Sequence, residues 1–227
     1  MFEEYLKESY ILDFKSEEIQ ELIKKRKWRR LEAYDCINEI YSFVRDEIIY
    51  TKLLKPNLRS SEVLKKGAGG PYTKAILLMS LLRGAGIPTR LHVYKVYKHL
   101  MFGILDKKHL RGLPEELSNY ACEAYYDSRW IRLEGVILDK EYIMGLRERL
   151  NGRTGAYIGY GIGVSDVANI DIDFHGEDSL LQAKAMSSDG GVYSTPDEIV
   201  NRGICEFGLF DTYFINKNIK KIRRGRS

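Results

Sequence analysis

The position at which a reactive side chain would be most favoured lies where a glycine-rich turn meets the predicted start of an apolar helix. Ser60 and Ser61 begin a short helical pattern, the turn covers Gly67–Gly70, and an apolar helix is predicted from Pro71 to about Arg83. A helix N-terminus stabilises negative charge, so a cysteine at that start would ionise readily and act as a nucleophile. The residue there is Pro71, which has no nucleophilic or hydrogen-bonding side-chain atom.

Helices come first along the chain and strands follow, which is the order expected of an α+β protein. The chain to about residue 51 has helical spacing of apolar residues, and the helix from Pro71 is apolar almost all round, which predicts a buried central helix. Further elements are predicted as strands at 89–96, 120–126 and 129–133, a short helix near 107–113, and helices at 140–150, after Thr195, and at 207–223. Residues 152–173 are predicted to be mostly irregular.

Several segments resemble those of transglutaminase-like proteins, in which a glycine-rich turn delivers a cysteine to the N-terminus of a buried helix. The segments are 60–78, Gly86–Arg90, Trp130–Asp139, Gly176–Gln182 and the helix start Thr195–Glu198. The resemblance implies a papain-like arrangement, with the buried helix packed on an antiparallel sheet. It also implies three site positions for a cysteine, a histidine and an acid.

Two of the three implied positions have lost their chemistry. Pro71 stands at the nucleophile position, and Asn119, four residues before Glu123, stands at the histidine position. Glu134 keeps the acid. An asparagine forms hydrogen bonds but does not act as a base near neutral pH. Gly70 and Tyr72 are expected to line the cleft beside Pro71, and proline is itself favoured in the first turn of a helix.

Other reactive residues offer no clear replacement. Cys122 lies three positions after Asn119 on a strand, so alternation places it on the opposite face of the sheet. His92 is expected to be a packed strand residue, and the other histidines lack a thiol or hydroxyl partner at recognisable spacing. The remaining candidates are His99, His109 and His175, together with Asp166, Asp171, Asp173 and Asp178, whose spacing fits turns rather than a calcium loop.

Composition sets the outer limits on function. The 227 residues are 44% apolar and 30% charged, which is typical of a globular protein that can bury a core. Cys36, Cys122 and Cys205 lie far apart, which favours neither a zinc site nor a disulfide framework. We expect no cofactor, no metal, no membrane segment and a cytoplasmic location.

Two runs of basic residues could attract nucleic acid despite a net charge of only +4. We favour the view that they are a solvated helix end and a chain terminus, because acidic residues are spread through the same chain. The residues are Lys24, Lys25, Arg26, Lys27, Arg29 and Arg30 in the first run, and Lys220, Lys221, Arg223 and Arg224 in the second.

The sequence therefore predicts a transglutaminase-like α+β protein without cysteine catalysis, retained to bind a peptide or acyl-type ligand or to act as a scaffold. A repurposed enzyme is the first alternative, with Glu134 catalysing proton transfer or cyclisation without a covalent intermediate. Nucleic-acid binding is the second. The predicted division is a helical part at 1–58, a core at 59–150 and a C-terminal extension at 151–227.

Overall fold

The structure is a computed structural model that describes residues 2–51, 57–203 and 212–224. Its helices are α1 (Glu17–Arg26), α2 (Ala33–Asp46), α3 (Ser60–Lys66), α4 (Pro71–Ala85), α5 (Lys107–Arg111), α6 (Lys140–Arg149), α7 (Pro196–Asn201) and α8 (Thr212–Arg223). Its strands are β1 (Ile49–Tyr50), β2 (Ala68–Gly69), β3 (Thr89–Tyr97), β4 (Glu116–Tyr126), β5 (Arg129–Leu133), β6 (Tyr157–Gly159), β7 (Ile162–Val164) and β8 (Met186–Tyr193). Cys205 and the predicted helical residues before Thr212 lie outside the described residues.

A four-stranded antiparallel sheet in the order β5–β4–β3–β8 carries the site. Helix α4 packs against one face of this sheet and is buried along nearly its whole length. Leu91, Cys122 and Leu133 stand side by side on that face and belong to the same core. The predicted central helix on an antiparallel sheet is confirmed.

Several strand regions differ from the expectation, among them the short parallel pair of β1 and β2 and the earlier start of β4 at Glu116. The stretch predicted to be irregular contains the hairpin of β6 and β7, and β8 was not predicted at all. The β8 sequence contains Ser187, Ser188, Asp189 and two glycines, which have low strand propensity, and most of its residues are exposed. Backbone hydrogen bonds to β3, and not the propensity of its side chains, stabilise β8 as a strand.

Lys74, a buried residue in the first turns of α4, joins the N-terminal end of this helix to the end of α2. Lys74 is fully buried, and its Nζ donates to the carbonyl oxygens of Arg45 at 3.1 Å and Ile48 at 2.6 Å, at the end of α2. Burial lowers the pKa of Lys74 to about 7, an effect that the Asp139 carboxylate partly opposes. These contacts fix the first turn of α4, and with it Pro71, against the α2 end.

Candidate functional site

A cavity of about 510 Å³ opens where the first turn of α4 faces β4 and α8. It lies where three apolar clusters meet, and most of its wall is aliphatic or aromatic. Its volume and apolar wall are those of an ordinary small-molecule pocket. The lining residues are Tyr50, Gly70, Pro71, Tyr72, Thr73, Val96, Leu100, Met101, Ile104, Leu105, Leu113, Pro114, Glu116, Leu117, Ser118, Asn119, Tyr120, Ile137, Leu138, Tyr142, Gly161, Gln182, Ile215 and Ile219.

The structure places four of the five predicted site residues in the wall of this cavity. Gly70, Pro71 and Tyr72 form the start of α4, and Asn119 faces the cavity from β4. Tyr72 is also a core residue, because it is 3% exposed and its ring packs edge-on against Tyr120 at 5.1 Å. Glu134, the fifth residue, does not line the cavity in the described part of the chain.

The turn before α4 has little room for a side chain at Gly69. A Cβ on Gly69 would lie 2.7 Å from Thr73 Oγ1. That hydroxyl accepts the Gly70 N–H at 2.8 Å and so caps the turn. Pro71 then opens the helix at a position whose N–H would have no partner in the helix.

Gln182 connects Asn119 with Glu134, and the sequence analysis did not identify it as a site residue. Asn119 Nδ2 donates to Gln182 Oε1 at 2.6 Å, and the Gln182 backbone N–H donates to Glu134 Oε2 at 2.8 Å. Asn119 and Glu134 are therefore connected through Gln182. The only signal in the sequence was the family-like segment Gly176–Gln182, which ends on this residue.

Glu134 is a buried acid with an unusual environment. It is 1% exposed, and burial raises its pKa, while the Gln182 N–H and the Arg132 guanidinium act in the opposite direction. Its Oε1 accepts no hydrogen bond among the described residues and lies 3.6 Å from Arg132 Nη1. A carboxyl group with these neighbours can hold a proton above the usual pH range of a glutamate.

The other candidates stay out of the cavity. Cys122 is fully buried in the core beneath α4, as strand alternation predicted, and burial strongly raises its pKa. The pKa of Cys36 is raised to about 11 by burial. Three of the four aspartates satisfy backbone groups: Asp166 accepts the N–H groups of Gly155 and Ala168, Asp171 that of Asp173, and Asp178 that of Arg132. The fourth, Asp173, has its carboxylate 3.5 Å from the Arg45 guanidinium. Among residues 2–51, 57–203 and 212–224, no group of His, Cys, Asp and Glu side chains could hold a metal.

Some basic residues are engaged within the protein. Arg26 pairs with Glu47 at 2.6 Å, Arg29 donates to the Gly84 carbonyl at 2.9 Å, and Arg223 pairs with Asp139. The charges left facing solvent are those of Lys24, Lys25, Lys27, Arg30, Lys220, Lys221 and Arg224.

In the described ranges, no helix combines the length and apolarity that a bilayer span requires.

His92 is a packed strand residue, as predicted, and it ties the edge strand β8 to the sheet. Its Nδ1 lies 2.8 Å from Glu123 Oε1 and its Nε2 lies 3.0 Å from Asp189 Oδ1. Burial opposes a charge on His92, but these two carboxylates outweigh it and raise the pKa, with the Arg132 guanidinium working against them. Arg90 also pairs with Glu123, at 2.6 Å.

This arrangement predicts a pH-dependent contribution to stability. Because the folded pKa of His92 lies above its ordinary value of 6.5, the contribution is complete below that value and is lost as pH rises through the folded pKa. We expect the urea midpoint of the native protein to exceed that of His92→Gln by more in mild acid than in mild alkali. A difference between the two proteins that does not change with pH would contradict the assignment. Exposed His175→Gln is the matched control.

The sequence model of the transglutaminase-like superfamily matches residues 24–135, a stretch that contains Pro71, Asn119 and Glu134. Residues 24–135 form a transglutaminase-like domain. The match to the superfamily begins among the N-terminal helices, inside the part predicted as 1–58, and ends just after β5.

A solved structure shares the fold of this chain. The chain resembles a "putative cysteine protease" from Cytophaga hutchinsonii with a TM-score of 0.51 and 14% identity, over 87% of this chain and 48% of that one. The chain thus spans about half the length of that protein, and at this identity the likeness concerns the fold alone. No curated protein matches the sequence. The predicted α+β, papain-like architecture is confirmed.

Proposed function

We propose that this protein is a noncatalytic member of the transglutaminase-like group that binds a peptide or acyl-type ligand in the cavity beside Pro71. The cavity of about 510 Å³ is the observation that carries the proposal. It lies at the position from which the family's nucleophile would act, and its wall there is a proline and an asparagine. Apolar walls with a few polar groups at one end suit a ligand held by burial and oriented by hydrogen bonds.

The absence of a nucleophile at this position supports binding rather than covalent catalysis. Pro71 cannot attack a carbonyl carbon, and Asn119 cannot take a proton from a nucleophile near neutral pH. Cys122 is separated from the cavity by its position in the core under α4. A ligand that enters the cavity therefore meets neither a cysteine nor a histidine among its described lining residues.

A repurposed enzyme that uses Glu134 is the alternative favoured by one observation, the raised pKa of this buried acid. A general base must come within hydrogen-bond distance of the proton that it removes, or reach it through one intervening group. The Gln182 side chain lines the cavity, whereas Glu134 does not, and Glu134 bonds the Gln182 backbone. This arrangement supports a structural role for Glu134 and makes the enzyme the weaker of the two proposals.

The binding proposal is tested with N-phenyl-1-naphthylamine, a neutral probe that fluoresces in apolar sites. We expect saturable binding with one site per chain, and at least a tenfold loss of affinity in Leu117→Trp, because the larger side chain would fill part of the cavity. Leu180→Trp, at an exposed position, is the matched control and should bind normally. Equal binding by Leu117→Trp and the native protein, with both folded, would show that the probe binds elsewhere.

A further inference from the structure

At the polar end of the cavity, a backbone carbonyl fixes the orientation of the Gln182 side-chain amide and, through it, that of Asn119. The Gly161 carbonyl can only accept, so the Gln182 group that lies 2.9 Å from it must be the Nε2 amide. This orientation turns Gln182 Oε1 toward Asn119. The Asn119 group facing it at 2.6 Å is therefore its donor, Nδ2.

Both hydrogens of the Asn119 amide are used inside the protein. Nδ2 donates to Gln182 Oε1 and, at 3.0 Å, to the hydroxyl of Tyr94. The Tyr94 hydroxyl itself donates to Gln182 Oε1 at 3.3 Å, so the three side chains form a closed set. Oδ1 is left as the one hydrogen-bonding atom of the Asn119 side chain without a partner among the described residues. Asn119 is 5% exposed and lines the cavity.

The charge of the wall limits the ligand further. The described lining residues include no lysine, arginine or histidine, and Glu116 is the only one of them with a carboxylate side chain. Glu134 lies directly behind Gln182. A carboxylate or phosphate would meet the Glu116 carboxylate here, with tyrosine and serine hydroxyls in the wall but no cation to offset the cost of its desolvation.

We infer that the cavity binds a neutral, mainly apolar molecule whose O–H or N–H group donates to Asn119 Oδ1. The apolar wall takes the hydrocarbon part, and the fixed acceptor selects the head group. Anionic fatty acids are disfavoured by the same atoms. This inference rests on the proposed binding function and adds the chemical class of the ligand.

Three probes built on a ten-carbon chain test the inference by titration calorimetry on the full protein. They are 1-decanol, which donates a hydrogen bond, 1-methoxydecane, which is neutral but cannot donate, and decanoate at mildly alkaline pH. We expect 1-decanol to bind about tenfold more tightly than 1-methoxydecane, the factor for one hydrogen bond to a buried group. Decanoate should bind more weakly than 1-decanol.

The Asn119→Leu variant removes the acceptor while keeping the size of the side chain. It should weaken 1-decanol to the affinity of 1-methoxydecane and leave the ether unchanged. If that variant fails to fold, the order of the three probes on the native protein still decides. Equal binding of alcohol and ether, or tighter binding of decanoate, would overturn the inference alone. Failure of all three probes to bind would overturn the binding function together with it.

Discussion

Replacing Pro71 with cysteine and Asn119 with histidine should produce a thiol that reacts with iodoacetamide at mildly acidic pH about tenfold faster than an ordinary exposed thiol. The introduced thiol would stand at the N-terminus of α4, and an imidazolium on β4 would face the same cavity. Both favour the thiolate, and the larger thiolate fraction outweighs the lower nucleophilicity of a more acidic thiol. The structure gives the imidazole an acceptor in Gln182 Oε1.

Matched variants separate the two contributions. Pro71→Cys alone should show a smaller enhancement, because only the helix end would then stabilise the anion. Ser188→Cys, on the exposed edge strand, supplies the ordinary thiol for comparison. Peptide mapping by mass spectrometry assigns the labelled residue in each variant. A folded double variant whose reactivity does not depend on the introduced histidine would show that Pro71 and Asn119 are not the paired positions.

Replacing Arg83 with leucine should lower the free energy of unfolding by about 3–5 kcal/mol, more than any of the other substitutions proposed. Its guanidinium is 3% exposed and donates to Thr89 Oγ1 at 3.0 Å, to the Thr89 carbonyl at 2.7 Å and to the Lys7 carbonyl at 2.6 Å. It also donates to the carbonyl of Ser194, just before α7. One side chain thus joins α4 to the N-terminal segment, the start of β3 and the segment before α7.

Urea denaturation measures this effect. Arg83→Lys keeps the charge but cannot reach all four acceptors, so it should fall between the native protein and Arg83→Leu. Arg30→Leu, at an exposed position, is the control and should change stability little. A loss in Arg83→Leu no larger than that of the control would mean that the four hydrogen bonds contribute nothing net.

The sequence predicted those parts of the fold that local signals determine. The glycine-rich turn followed by proline marked the start of α4 at the correct residue, and Asp127-Ser128 marked the turn between β4 and β5, where both residues have positive φ. Strand β8 could not be predicted, because its pairing with β3 depends on residues about a hundred positions away. Helical and strand patterns are local, whereas edge pairing is not.

The candidate site likewise contains residues that the sequence identified and residues that only the folded structure brings together. Gly70, Pro71, Tyr72 and Asn119 were assigned to the site through the resemblance to transglutaminase-like proteins, and the structure brings them to one cavity. Gln182 contacts Asn119 and Glu134 from positions 63 and 48 residues away in the chain, so no local pattern could reveal its role. The apolar wall is likewise assembled from separate elements, including Ile215 and Ile219 of α8. The assignment of Pro71, Asn119 and Glu134 to the three family positions stays a prediction until the double variant is measured.

The central claim is that this transglutaminase-like domain binds its ligand in the cavity beside Pro71 without chemical change. A crystal structure of the native protein with N-phenyl-1-naphthylamine tests it most directly. We predict an intact, noncovalently bound probe between the first turn of α4 and α8, in contact with Pro71 and Asn119. A cavity filled by the protein's own side chains, with the probe bound elsewhere or attached covalently to a residue, would contradict the claim.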